Sequence, residues 1–60
     1  MTITAKFKGL PRLGYAVGFW YDLIVQGCTV VALDGKGATL YYSSTETFFA
    51  DWTDCSPIQN

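Results

Sequence analysis

The sequence predicts a small, mainly β domain built on a curled antiparallel sheet of four to five short strands, with one short helical turn. Three observations carry this prediction. Apolar residues recur with period two along Thr2–Lys8, Tyr15–Val25 and Ala38–Tyr42, the spacing of strands with one buried face. Asp34-Gly35-Lys36-Gly37 separates two such runs, and Asp-Gly supplies the positive φ that tight hairpins require. The period then changes at Ser43-Ser44-Thr45-Glu46, where a helix-start pattern appears.

In the first strand, Thr2–Lys8, Ile3, Ala5 and Phe7 point one way, and Thr4, Lys6 and Lys8 the other. Gly9-Leu10-Pro11-Arg12-Leu13-Gly14 reads as a loop, because two glycines bracket a proline. Its leucines are expected to fold back onto the core. Tyr15–Val25 is rich in aromatic and β-branched residues, which favours a long strand. Tyr15, Val17, Phe19, Tyr21, Leu23 and Val25 form its expected core face. Asp22 marks the other face, with Ala16, Gly18, Trp20 and Ile24, as partly wet. Gly18 inside the run points to a bulge or a close backbone approach.

Gln26-Gly27 turns the chain into a strand over Cys28–Leu33, and residues 29–42 are expected to form a hairpin centred on Gly35. Ala38, Leu40 and Tyr42 share one face of its second arm. Ser43 followed three residues later by Glu46 matches a capping box. It predicts a helical turn over Thr45–Trp52 with Phe48, Phe49 and Trp52 on one side; a strand through Thr47–Asp51 is the alternative. Thr53–Ile58 is a final short strand, with Pro57 confining it to an edge or an end. The order of strand, long strand, hairpin, helical turn and last strand suits an open SH3-like barrel, and an OB-like barrel also fits the strand count. Such folds host unrelated functions.

Sixty residues fit one domain. For a chain of this length apolar burial and the entropy of ordering nearly cancel, so a partner surface would help. The chain is 50% hydrophobic and only 15% charged, the reverse of a disordered composition. The net charge is −1. Lys6, Lys8 and Arg12 outweigh Asp22 in the first half; Asp34, Glu46, Asp51 and Asp54 outweigh Lys36 in the second. Four basic residues make a weak field for a phosphate backbone. The first residues carry no basic segment followed by an apolar run, and no stretch is long and apolar enough for a membrane-spanning helix. The expectation is a cytoplasmic protein without membrane contact. Its cysteines, Cys28 and Cys55, are then reduced thiols, although a bridge would suit so small a chain.

Catalytic chemistry finds little support. Histidine is absent, which removes the histidine-based triads and the commonest base near neutral pH. The cysteines lie far apart with no Cys-x-x-Cys spacing. Glu46, Asp51 and Asp54 match no calcium loop and read as solvated charges. Asp34–Gly37 lacks the Lys-Ser/Thr and following helix of a phosphate-binding loop. No cofactor or metal is expected.

The ten aromatic residues are the informative part. Successive strand residues point to opposite faces, so one core cannot take all of Phe19-Trp20-Tyr21 and Tyr41-Tyr42. Trp20 and Tyr41 lie on the less apolar faces and are the candidate protein-binding residues. The functional expectation is a non-enzymatic protein-interaction module, accessory or inhibitory, that binds a protein partner or self-associates as a homodimer through Trp20 and Tyr41. The alternative is a nucleic-acid-binding module that stacks bases on exposed aromatics beside Lys6, Lys8 and Arg12.

Overall fold

The structure, a computed structural model, describes residues 1–58. Five strands run in chain order as β1 (Thr2–Phe7), β2 (Trp20–Gln26), β3 (Thr29–Ala32), β4 (Leu40–Tyr41) and β5 (Trp52–Pro57), with one helix, α1 (Thr45–Asp51), between β4 and β5. They form a single antiparallel sheet in the order β4-β3-β2-β1-β5. The sheet is open rather than closed into a barrel. Its two edges are blunted: β4 is only two residues long, and β5 carries a register shift, a positive φ at Asp54 and a terminal proline, Pro57. Such devices discourage edge-to-edge pairing.

β1 keeps its expected alternation, with Ile3, Ala5 and Phe7 all buried. Leu23 of β2, Val30 and Ala32 of β3, Leu40 of β4 and Trp52 of β5 complete the inner face, with Tyr15 and Tyr42 packed into the same cluster. Trp52 meets Phe7 and Tyr15 edge-on at centroid distances of 5.0 and 5.6 Å, an arrangement that suits the ring quadrupoles. Tyr15 closes the core from above. Its hydroxyl accepts the Ala32 amide proton at 2.9 Å and donates to the Ala38 carbonyl at 3.0 Å.

The long second strand is corrected. β2 starts at Trp20, and Tyr15 instead pairs with Arg12 in a tight turn. Gly18 has φ +87°, which turns the backbone where the aromatic run suggested it would continue. This interrupts the alternation without changing its parity: Tyr15 and Leu23 are buried and Tyr21 and Val25 pack against the core, but Val17 and Phe19 are exposed. The loop leucines do not fold back either, since Leu10 and Leu13 both face solvent. Hydrogen bonds hold the loop against its neighbours. Lys8 N–H donates to the Asp51 carbonyl, Ala16 N–H to the Tyr21 hydroxyl, and Ala38 N–H to the Leu13 carbonyl.

The hairpin is centred on Gly35 as expected, with Thr29 opposite Tyr41 and Val30 opposite Leu40. Its ladder stops there, so the loop is wider than a tight turn and Ala38 is exposed. Asp34 accepts the Lys36 amide proton at 2.9 Å and folds the tip. The helix forms with its cap shifted by one residue. Ser44, not Ser43, is the N-cap, and its reciprocal partner is Thr47, not Glu46. Glu46 still lies in the first turn, where the helix dipole favours a carboxylate. The chain becomes extended at Trp52, which therefore packs from a strand rather than from the helical face with Phe48 and Phe49.

Candidate functional site

The outer face of the sheet follows from the register. Lys6 stands opposite Trp20, Thr4 opposite Asp22, and Ile24 opposite Val31. Each is out of phase with the buried set. Trp20 is 55% exposed and Tyr41 is 77% exposed, so both candidate residues lie at the surface. They do not form one cluster. Trp20 begins β2, whereas Tyr41 pairs with Thr29, which pairs with Gln26 at the end of β2. At roughly 3.3 Å per residue and 4.8 Å per strand, about 20 Å along the sheet and 10 Å across it separate them.

Trp20 borders a surface groove of about 600 Å³, together with Phe19, Tyr21, Asp22, Leu33 and Asp34. Phe19 is 64% and Leu33 51% exposed. Leu33 is fixed beside β2 because its N–H donates to the Asp22 carbonyl at 2.9 Å. Three large apolar side chains and two carboxylates thus share one corner of the sheet. The Gly18 turn is what brings Phe19 there, and the strand reading of Tyr15–Val25 missed it.

A second groove, of about 570 Å³, opens at the opposite end of the sheet. Its lining is mainly apolar and includes Ile3, Val25, Val30, Tyr42, Phe48 and Phe49. It is the unclosed mouth of the core. Tyr42, not Tyr41, belongs to it. Cys28 and Cys55 border it and are unbridged. Partial burial, then the charge of Asp54, raises the Cys55 thiol above its ordinary value, the opposite of what an activated nucleophile needs.

The titratable residues meet elsewhere. Asp51 Oδ2 accepts from Arg12 Nη2 at 2.7 Å and from the Tyr42 hydroxyl at 2.8 Å, while Trp52 Nε1 donates to Tyr42 at 3.0 Å. Asp51 is therefore not the solvated charge its sequence neighbours suggested, and Arg12 is engaged in an ion pair with it. Partial burial works against ionisation of Asp51, but the hydrogen bonds from Arg12 and Tyr42 outweigh it and hold the carboxyl below its ordinary 3.8. Burial, then the bond to Asp51, pushes the Tyr42 phenol up to about 12.

These shifts set the pH dependence of stability through linkage. A carboxyl held low adds stability that is present above 3.8 and lost as pH falls through its lowered folded value. A phenol held high adds stability that is present below 10.0 and lost as pH rises towards about 12. The urea midpoint is expected to fall on both sides, with a shallower acid limb in Asp51→Asn and a shallower alkaline limb in Tyr42→Phe. Limbs of unchanged depth in these variants contradict the network's role.

Among the described residues, no three His, Cys, Asp or Glu side chains gather to hold a metal ion, and no helix is long and apolar enough to cross a membrane. Comparison with known proteins gives no match to a family model, a curated protein or a solved structure.

Proposed function

We propose that this chain is a non-enzymatic protein-interaction module that binds through the corner of the sheet around Trp20. One observation carries the reading: Phe19, Trp20 and Leu33 are each more than half exposed and line the same groove. Large apolar side chains grouped at a surface mark contact sites more often than isolated ones do, and tryptophan is enriched among residues that dominate binding energy. The unbridged cysteines support a reducing, cytoplasmic setting. The strand order, with a helical turn before the last strand, supports an SH3-like layout.

Two further readings each have an observation in their favour. Tyr41 is exposed at the far corner of the same outer face, so a two-fold homodimer across that face sets Trp20 of one copy near Tyr41 of the other. β2 is flanked by β1 and β3, but β3 pairs with it only at Leu23–Gln26, so Trp20–Asp22 extend beyond that ladder. Asp51 is engaged within the chain and is not free to meet a lysine of a second copy. Nucleic-acid binding is favoured only by Lys6, which stands directly opposite Trp20.

Immobilised wild-type chain and its Trp20→Ala variant, exposed to extract of the cells that make it, provide the test. The protein recovered by the wild type is expected to bind Trp20→Ala about thirtyfold more weakly, the loss of about 2 kcal/mol typical of a central anchor. Equal recovery by both overturns the proposed face. Sedimentation equilibrium over a wide concentration range tests the dimer, which a constant mass of 6.6 kDa excludes. A salt-sensitive shift of single-stranded oligonucleotide supports the nucleic-acid reading instead.

A further inference from the structure

We infer that the groove beside Trp20 takes an extended segment of a partner protein in which an arginine or lysine is flanked by apolar residues. The inference rests on the protein-interaction reading and adds the chemistry of the partner to it. Charge and shape both point this way. Asp22 and Asp34 line the groove, both are exposed, and no lysine or arginine lines it with them. Among the described residues the one ion pair is Arg12 with Asp51, so neither groove carboxylate is neutralised within the chain. Two negative charges beside Phe19, Trp20 and Leu33 favour a ligand that is both cationic and apolar.

Arginine and lysine meet that demand in one side chain. The aliphatic stem covers apolar surface while the charged head remains at the polar rim, here within reach of the two carboxylates. A cation over an indole face gains further from the ring quadrupole. Arginine is favoured because its planar guanidinium both stacks on an aromatic ring and forks onto a carboxylate. The floor is fixed before binding, since the Leu33–Asp22 backbone bond ties its two walls. Lys6, opposite Trp20 on β1, is the nearest counter-charge in the register. It is not among the residues that line the groove, whose charged side chains are Asp22 and Asp34.

The test is amide-resolved NMR titration of the full chain with short synthetic peptides of equal length, one set built from Arg and Leu, one from Glu and Leu, and one from Arg and Ser. The Arg–Leu peptides are expected to move the amides of residues 19–22, 33 and 34, and to bind more tightly than either other set. The double variant Asp22→Asn, Asp34→Asn keeps the side-chain acceptor that folds the hairpin tip. It is expected to weaken the Arg–Leu peptides about fivefold, the scale of two exposed ion pairs, and to leave the Glu–Leu peptides no weaker. Glu–Leu peptides that bind equally well at the same amides overturn the charge preference and leave the binding face standing. If no peptide moves these amides the inference falls; Trp20-dependent capture of a protein then still upholds the face, and its absence removes both.

Discussion

Replacing Trp52 by alanine is expected to destabilise the chain by about 3–5 kcal/mol, the usual range for truncating a buried aromatic. A domain of this size has a total stability of about 3–9 kcal/mol at roughly 0.05–0.15 kcal/mol per residue, so much or all of its margin is lost. The reason lies in where Trp52 sits. It is 1% exposed, it touches the rings of Phe7, Tyr15, Tyr21 and Phe48, and its indole N–H donates to Tyr42. It is also the residue at which α1 passes into β5. Its side chain thus joins the helix, the edge strand and the core. Urea unfolding followed by circular dichroism measures the loss, and a loss below about 1 kcal/mol contradicts a core organised around this residue.

The second large effect is expected at Gly14. Alanine there is predicted to cost about 2–5 kcal/mol, the sum of a left-handed backbone penalty of about 1–2 kcal/mol and an overpacking term of about 1–3 kcal/mol. Gly14 has φ +91°, and an added Cβ falls 2.7 Å from the Lys36 carbonyl oxygen and 2.9 Å from the Gly37 Cα. Both are backbone atoms and have no rotamer with which to move aside. The loop before β2 and the hairpin loop are in contact at this point. Gly18 isolates the two terms. Its φ is +87°, yet nothing lies within 4 Å of its added Cβ, so Gly18→Ala carries the backbone penalty alone. Gly14→Ala is expected to exceed Gly18→Ala by the overpacking term, and equal losses contradict the close approach.

The elements legible in the sequence were those whose signal is local. β1 alternates without interruption, and all three of its inward residues are buried. The hairpin centre at Gly35 and the helical turn after Tyr42 follow from turn and capping chemistry, with the cap displaced by one residue because Ser43 and Ser44 are both competent and Thr47 outcompetes Glu46 as partner. Tyr15–Phe19 was misread because its aromatic content favours a strand, whereas one glycine with positive φ decides the path. Trp52 falls at helical spacing from Phe48 but belongs to the next strand, since its burial against Phe7 outweighs its place in the helical pattern. The Arg12–Asp51 pair spans 39 residues, and no local pattern announces such a contact. Of the candidate site, the exposure of Trp20 and Tyr41 was legible from parity. That Phe19 and Leu33 join Trp20 was not, because it depends on the Gly18 turn and on the register between β2 and β3.

The two tryptophans separate folding from binding. Trp52 is enclosed and hydrogen-bonded to Tyr42, while Trp20 is more than half exposed at the groove. The indole N–H resonances of the labelled chain, followed while the captured partner is added, test the proposed binding face most directly. The expected result is a large shift or broadening of the Trp20 indole with the Trp52 indole in place. A saturated complex in which the Trp20 resonance has not moved contradicts binding at this corner of the sheet.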